Sequence, residues 1–312
     1  MELIRGLHNL SDRFRGCAAT IGNFDGVHLG HQQVLAHVKA AASRLHVPSL
    51  VIVFEPQPRE FFAPETAPAR LSRLRDKVRY LDSAGMDAIL CLPFNPRLQA
   101  LPALAFVNAV LLEGLSVRHF VVGDDFRFGC DRAGDFSLLK QVGDSRGFEV
   151  VSTDTFTQSA ARVSSSRIRE LLALGELGEA ARLLGRDYSI SGRVEYGRQL
   201  GRTIGVPTAN VGLKGKKPAL VGVYAVEADI NGEWVQGVAN IGTRPTVNGQ
   251  HASLEVHLLD YTGNLYGRHI NVVFRHFLRS EQRFDGLDAL KTQISLDIAQ
   301  ARSWFECHGS TK

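Results

Sequence analysis

The sequence lacks the features that mark several common classes of protein. Its cysteines are few, and they are Cys17, Cys91, Cys130 and Cys307. They form neither a CxxC pair nor the Cys/His spacing of a zinc site, so we expect reduced thiols in a cytoplasmic protein. No apolar run approaches the length that spans a bilayer, and the first residues contain no apolar signal-peptide core. A disulfide scaffold, a membrane protein and a secreted protein are therefore not expected.

An excess of charge of one sign is also missing. Lys and Arg number 36 and Asp and Glu 32, which gives a formal net charge of +4 over 312 residues. The basic residues form no long run and no arm interleaved with aromatic residues. Such mild basicity suits a small anionic ligand such as a nucleotide and gives little support for nucleic-acid binding. The phosphate-binding patterns GxGxxG and GxxxxGKS/T are absent, so a phosphate site would need another loop.

The first part of the chain, residues 1–186, alternates short apolar runs with amphipathic stretches. The predicted strands are Ala18–Ile21, Leu50–Phe54, Ala88–Leu92, His119–Val122 and Phe148–Ser152. The predicted helices are Gln32–Leu45, Ser72–Ala84, Leu104–Leu112, Phe136–Ser145, Arg167–Leu174 and Leu177–Leu184. This βαβα order predicts a Rossmann-like, doubly wound parallel sheet with ligands at the carboxyl ends of the strands.

The second part, residues 187–312, has recurrent glycines and alternating β-type runs. Asn231-Gly232 is a strong signal for a hairpin turn between two such runs. The predicted strands are Val223–Ile230, Trp234–Asn240, Leu254–Leu259 and Ile270–Phe277, and apolar residues at helical spacing follow over Leu287–Phe305. We predict an α/β domain over 1–186, followed by a small antiparallel β-barrel with a C-terminal helix over 187–312.

The densest chemical signal is the segment Gly22–His31, which reads GNFDGVHLGH between a predicted strand and a predicted helix. Glycines permit a tight turn, and the start of a helix presents unpaired N–H groups to an anion. His28 and His31 stand three residues apart, so both can face one phosphate chain. A plain strand–helix turn with solvated histidines is the structural alternative. The paired histidines favour a nucleotide site, whose candidate residues are Gly22, Asn23, Phe24, Asp25, Gly30 and the two histidines.

Two further segments of the first part could contribute to that site. In Val163-Ser164-Ser165-Ser166-Arg167-Ile168-Arg169, serines can cap a helix and arginines can bind phosphate oxygens. We select Ser164, Ser166 and Arg169. The segment Gly123–Gly129 follows the fourth predicted strand and contains Asp125, which an ordinary turn at the end of a strand would explain without a ligand.

The second part opens with a glycine-rich stretch, Ser191–Asn210. Gly192 and Gly201 would let the backbone approach phosphates closely. Pro207 favours an extended chain before it, and Thr208 and Asn210 share one face if the segment is a strand. A hydroxyl and an amide oxygen form a plausible partial shell for Mg²⁺. By composition alone, an ordinary barrel hairpin would explain the stretch better.

Together these motifs resemble the prokaryotic FAD synthetase family. The histidine segment is similar to G-x-F-D-G-x-H-x-G-H of the nucleotidyltransferase superfamily, and VSSSRIR is similar to I-S-S-T-x-I-R, with Val163 and Ser166 as departures. The stretch ending in VPTAN looks like the riboflavin kinase signature. Further matches are Gly222–Ala225, Asn240–Thr246, Leu254–His257, Asp260 and Leu265–Gly267.

The resemblance implies FAD biosynthesis in two ATP-dependent steps. The second domain would phosphorylate riboflavin with Glu255 as base, and the first would adenylylate FMN with His28, His31 and Arg169 stabilising charge. It implies Mg²⁺ at Thr208 and Asn210, and ATP contacts by the glycines, serines and histidine-segment residues named above. The implied flavin contacts are Asp125, Phe126, Phe128, Arg279 and Phe284.

The implied small-molecule partners are riboflavin, FMN and ATP, without nucleic acid or membrane, and the sequence leaves the oligomeric state open.

Two other interpretations also stand at this point. One is an enzyme in which a single activity survives and the other domain has decayed. The other is a nucleotide-sensing or RNA-binding regulator, which would need a basic, aromatic-lined face on the barrel.

Overall fold

The computed structural model describes residues 1–154, 156–158, 161–197, 201, 205–213, 217–246 and 249–309. Its contacts divide the chain into two compact units. The first unit is Met1–Pro68 with Ser72–Ser164, and the second is Ala69–Leu71 with Ser165–Lys312. The predicted domain boundary at residues 186 and 187 stays a prediction.

The first unit contains a six-stranded, wholly parallel sheet. Its strands are β1 (Glu2–Arg5), β2 (Ala18–Ile21), β3 (Ser49–Glu55), β4 (Ala88–Pro93), β5 (His119–Gly123) and β6 (Glu149–Thr153), in the spatial order β1-β4-β3-β2-β5-β6. A short antiparallel pair follows, β7 (Thr157–Gln158) with β8 (Ala161–Arg162). The α-helices are α1 (Leu29–Leu45), α2 (Pro58–Phe62), α3 (Leu74–Ser83), α4 (Pro96–Gln99), α5 (Ala103–Phe106) and α6 (Phe136–Arg146).

Both faces of this sheet are buried, which explains why its strands are continuous apolar runs. In β2, Ala19 and Ile21 face one core cluster while Ala18 faces the other. The five predicted strands of this part are confirmed as β2–β6. Strand β1, which the sequence did not predict, pairs with β4 at the edge of the sheet. It is four residues long, too short for an alternation pattern to be distinctive.

The helices of the first unit differ from the prediction at several places: α1 begins three residues earlier than predicted, and the short helices α2 and α4 were not predicted. The predicted helix from Ser72 begins at Leu74, because Ser72 makes hydrogen bonds with another loop. The predicted helix Leu104–Leu112 forms as α5, which continues into a π-helical segment, Val107–Gly114. Periodicity alone does not separate these helical forms over so short a stretch.

The chain order of the sheet reverses on either side of β2. The strands β2, β3 and β4 run outward in sequence, and β5 then returns to the other side of β2. Such a switch point leaves a crevice at the carboxyl ends of the two central strands, where ligands bind in open α/β sheets. The loops that follow β2 and β5 therefore occupy the position where a ligand is expected.

The second unit is a closed six-stranded antiparallel barrel with helices. Its strands are β9 (Ser189–Glu195), β10 (Ala209–Val211), β11 (Gly222–Ile230), β12 (Glu233–Thr246), β13 (Gly249–Leu258) and β14 (His269–Arg279). They close in the order β10-β13-β12-β11-β14-β9. The helices are α7 (Ser165–Ala173), α8 (Leu177–Leu184) and α9 (Leu287–His308). Asn231 and Gly232 both have positive φ, 59° and 93°, as the predicted hairpin turn requires.

The barrel encloses an apolar core and carries apolar patches outside it. Tyr224, Val256 and Phe274 lie inside, and burial raises the pKa of Tyr224 to about 12. Helices α7 and α8 contribute Ile168 and Leu184 to the same cluster. Helix α9 covers part of the outer surface instead. None of the helices in the described residues is long and apolar enough to cross a membrane.

Candidate active sites

The predicted segment Gly22–His31, here called the histidine loop, forms the connection between β2 and α1 together with the first turn of α1, at the switch point of the sheet. Helix α1 starts at Leu29, with His28 as its N-cap in an extended conformation. The loop before it has positive φ at Phe24 (45°), Gly26 (82°) and Val27 (41°). Left-handed backbone at non-glycine residues is costly and concentrates at ligand-binding sites. The strained loop thus precedes the N–H groups of the first turn of α1.

Buried hydrogen bonds hold this loop in place. The backbone N–H of Ser72 donates to Oδ1 of Asp25 at 3.0 Å, and the N–H of Gly26 donates to Oγ of Ser72 at 2.9 Å. Asp25 is only 2% exposed. Phe24 is equally buried and packs with Val27 in the core. The side chains of these two predicted nucleotide contacts support the loop, so any contact they make with nucleotide would come from their main chain.

The two histidines are in direct contact. Their rings stack with centroids 3.6 Å apart at 16°, and the N–H of His31 donates to Nδ1 of His28 at 3.3 Å. Since Nδ1 accepts, neutral His28 carries its proton on Nε2, a donor suited to a phosphate oxygen. A Cβ placed on Gly30 would lie 3.3 Å from Nδ1 of His28 and 3.5 Å from Cβ of Phe156. Glycine at position 30 therefore lets the ring lie close against the helix.

The loop after β5 carries the predicted flavin residues of the first unit. Asp125 is exposed and forms an ion pair with Arg162 at 2.6 Å, which raises the pKa of Arg162. The rings of Phe126 and Phe128 stack at 5.5 Å. Phe128 is buried at 8% exposure against Phe106, which leaves Phe126 as the more accessible ring.

An aromatic cluster at the carboxyl ends of β3 and β4 was missed by the sequence reasoning. It consists of Phe54, Phe61, Phe62 and Phe94, with edge-to-face contacts at 5.3 to 5.6 Å. Phe62 is 60% exposed. The signal that could have found the cluster is the presence of aromatic residues just after two neighbouring predicted strands.

The serine–arginine segment does not lie within one unit. Ser164 ends the first unit, whereas Ser166 and Arg169 lie on α7 in the second. Nε of Arg169 donates to the carbonyl oxygen of Ala69 at 2.5 Å, which ties α7 to the segment Ala69–Leu71 of the same unit. The meeting of Arg169 and Ser166 with the two histidines stays a prediction.

Strand register brings the predicted kinase residues together on the outside of the barrel. Glu255 of β13 pairs with Asn210 of β10 on one side and with Asn240 of β12 on the other. Asn210 in turn pairs with Glu195 of β9. The flanking residues Leu254 and Val256 point into the core, so Glu255 points outward. We call Glu195, Asn210, Glu255 and Asn240 the polar row.

The glycine-rich stretch is only partly described, since residues 198–200 and 202–204 lie outside the described residues. The N–H of Val206 donates to the carbonyl oxygen of Gly201 at 2.8 Å, and a Cβ on Gly201 would lie 3.4 Å from Oγ1 of Thr208. Gly192 is a buried residue within β9, paired with Ile270, and its contact with a phosphate stays a prediction.

The last two predicted flavin residues lie near each other but are engaged within the fold. The guanidinium of Arg279 donates to both carboxylate oxygens of Asp297 on α9, at 2.8 and 2.7 Å. It also lies 5.6 Å from the ring centroid of Phe284. Asp297 is 3% exposed, so this pair fastens α9 to the end of β14. Contact of Arg279 with a flavin stays a prediction.

Comparison with known proteins places this geometry in a family. The model of the family described as FAD synthetase matches residues 10–167, and that described as riboflavin kinase matches residues 184–305. A bifunctional riboflavin kinase/FMN adenylyltransferase from Pseudomonas fluorescens is 54% identical over 304 residues, covering 97% of each chain. The protein of the same name from Escherichia coli K12 is 52% identical over 98% of each chain. The chain belongs to this family. Residues 10–167 are hereafter called the adenylyltransferase half and residues 184–305 the kinase half.

A solved structure supports the fold over nearly all of the chain. The structure of a macrolide-efflux protein from Streptococcus pneumoniae has a TM-score of 0.80 at 28% identity, covering 97% of this chain and 99% of that one. The predicted fold class, an α/β half followed by a barrel with a terminal helix, is confirmed. The prediction of a bifunctional transferase is confirmed too. Matches to both halves favour it over an enzyme with one decayed domain and over a regulator.

Proposed function

We propose that the histidine loop and the polar row are the two reaction centres of FAD synthesis in this chain. The observation that supports this most strongly is where the two centres lie in the fold. The histidine loop lies at the switch point of the parallel sheet, and Glu255 lies beside Asn210 on the barrel. The two centres act in the reverse of their chain order, since the kinase half makes the FMN that the adenylyltransferase half uses.

In the kinase half, the 5′-hydroxyl of riboflavin attacks the γ-phosphorus of ATP, and ADP leaves. An alcohol is a poor nucleophile, so a carboxylate that accepts its proton accelerates the step. Glu255 has the required chemistry and lies on the outer face, where a substrate can reach it. It is the base of our proposal.

The oxygen atoms of the residues near Glu255 have the chemistry to bind a hard cation. Thr208 and Asn210 offer a hydroxyl and an amide oxygen, and oxygen ligands are those that Mg²⁺ prefers. Among the described residues, no group of three His, Cys, Asp or Glu could hold a metal ion. We assign Thr208 and Asn210 as the protein's ligands, with ATP phosphates and water as the others. The bound ion would neutralise charge on the transferring phosphoryl group.

In the adenylyltransferase half, a phosphate oxygen of FMN attacks the α-phosphorus of ATP, and pyrophosphate leaves. The attacking oxygen is already anionic, so this step needs positioning and charge stabilisation rather than a base. His28, His31 and the first N–H groups of α1 supply donors, and Arg169 is proposed to join them. The exposed face of the cluster around Phe62 offers a surface on which a flavin ring can stack.

The decisive experiment is a product analysis. The full chain is incubated with riboflavin, ATP and Mg²⁺, and riboflavin, FMN and FAD are separated by chromatography. We expect FMN to appear first and FAD to follow. Supplying FMN directly should give FAD without the first step. Absence of both products from folded protein would refute the proposal, and omission of Mg²⁺ with full activity would refute its metal assignment.

A further inference from the structure

Asn240 lies next to Glu255 but had no assigned role in the sequence analysis. It is in β12 between Ala239 and Ile241, both of which face the barrel core. Its side chain therefore points outward, on the same face as its register partner Glu255. Directly opposed residues on one face of a sheet have Cβ atoms about 4.5 to 5.5 Å apart. A small polar group can thus contact both side chains at once.

The amide of Asn240 is placed for a ligand. Its Oδ1 atom is shielded from solvent and has no hydrogen-bond partner in the described part of the chain. The neighbour on the other side, Val223 of β11, is apolar and packs with α9, so it cannot satisfy the amide. A buried acceptor left unsatisfied is destabilising, so such an atom in a folded protein calls for an explanation, and a bound ligand is one.

The chemistry of the amide matches a hydroxyl. A hydroxyl both donates and accepts, so it can pair with either the oxygen or the nitrogen of Asn240. Riboflavin carries a chain of hydroxyls that ends in the reacting 5′-hydroxyl. If that terminal hydroxyl lies at Glu255, a hydroxyl further along the chain lies within reach of the adjacent strand. Phosphate oxygens, which only accept, could use the NH₂ group but would leave Oδ1 unsatisfied.

We propose that Asn240 is a substrate-binding residue of the kinase reaction, whose amide binds a ribityl hydroxyl and thereby holds the 5′-hydroxyl at Glu255. The inference rests on the riboflavin kinase activity and on the role proposed for Glu255. It also predicts which flavins are good substrates, because the amide selects for a hydroxyl at one position of the ribityl chain. A flavin whose side chain lacks that hydroxyl should be a poor substrate.

The test combines Asn240→Ala with riboflavin analogues that each lack one ribityl hydroxyl. In the variant, kcat/KM for riboflavin should fall about 10- to 100-fold, the effect of losing one buried hydrogen bond. One analogue should show the same loss with the unaltered enzyme and little further loss with the variant. The matched control is Asn271→Ala, on the outer face of β14 but paired with Asp229 and Ser191 rather than with Glu255. This control should leave kcat and KM unchanged.

Folding and function are checked separately. FAD formation from supplied FMN and the unfolding midpoint show whether each variant is folded. If Asn240→Ala is unstable, Asn240→Ser replaces it and should show the same coupling to one hydroxyl at a smaller magnitude. The inference is wrong if the variants keep the kcat and KM of the unaltered enzyme, if all analogues lose equally with both, or if only KM for ATP changes. If the unaltered chain forms no FMN at all, it is the proposed function that fails.

Discussion

The two halves bring polar side chains to their ligands in different ways. In the adenylyltransferase half, the residues of the loop are consecutive, from Gly22 to His31, and the loop joins one strand to one helix. In the kinase half, the polar row takes one residue from each of four strands, and the order along the chain differs from the order in space. A contiguous loop is visible in sequence, whereas a row across strands becomes visible only with the register.

The two centres are also supported differently. The histidine loop is held by buried hydrogen bonds between its own residues Asp25 and Gly26 and the distant Ser72. The polar row depends on the pairing of β9, β10, β13 and β12, and helix α9 packs on the same barrel surface. Substitutions should therefore affect the two activities separately.

The largest expected effect is that of Glu255→Gln. The substitution preserves shape but removes the proton acceptor, so riboflavin phosphorylation should fall about 10²- to 10⁴-fold. FAD formation from supplied FMN should continue at the original rate, because the histidine loop is untouched. Both rates are measured by chromatography of flavins. Unchanged kinase activity would contradict the role of Glu255, and loss of both activities would contradict the separation of the two centres.

Asp297→Ala tests what α9 contributes to the kinase half. It removes the partner of Arg279 and leaves a guanidinium that is 16% exposed without its carboxylate, which should cost about 3 to 5 kcal/mol of unfolding free energy. The matched control is Asp260→Asn, which weakens an exposed pair between Asp260 and Arg302 of the same helix. Its midpoint in urea should not move. Equal shifts for the two variants would show that burial of the Arg279 pair is not what matters.

His31→Ala addresses the other centre. One donor to the phosphate chain of ATP is lost, so FAD formation from FMN should fall about 10²- to 10³-fold. Riboflavin phosphorylation should be unaffected, which makes it the internal control for folding. An equal fall of both rates in a folded variant would show that His31 does not belong to a separate adenylyl-transfer centre.

The smallest effect is expected for Gly30→Ala. The added methyl group would crowd the His28 ring, whose Nδ1 would be 3.3 Å away, so FAD formation should fall about tenfold, the effect of displacing one contact by a small distance. Gly178→Ala is a close control, because Gly178 is also the second residue of a helix and its Cβ would meet nothing within 4 Å. It should leave both activities unchanged. Identical behaviour of the two variants would show that the close approach at Gly30 is not needed.

Much of the fold was predictable because its signals are local. Buried parallel strands are continuous apolar runs, and the dipeptide Asn231-Gly232 indicates a hairpin turn. The histidine loop was predictable for the same reason. The placement of Asn240 beside Glu255 was not, since it depends on pairing between β12 and β13. The cluster around Phe62 was missed because its rings come from three separate places in the chain: the end of β3, helix α2 and the residue after β4.

The partners of charged side chains, in the histidine loop and elsewhere, also could not be predicted. Asp25 has the appearance of a ligand contact in the sequence, yet its carboxylate is a buried acceptor for Ser72, which lies 47 residues further along the chain. Similarly, nothing local to Arg279 indicates that Asp297 would occupy its guanidinium. Long-range partners of charged groups are set by the packing of whole elements, which a local pattern does not encode.

Closure of the barrel has a consequence for the behaviour of the protein at high concentration. Every strand of the barrel has a neighbour on each side, so the described barrel offers no open strand to which another chain could add. The parallel sheet ends instead at β1 and β6, and β1 is only four residues long. Short edge strands are poor templates for intermolecular pairing. With four residues in β1 and five in β6, strand addition at high concentration is disfavoured at both edges of this sheet as well.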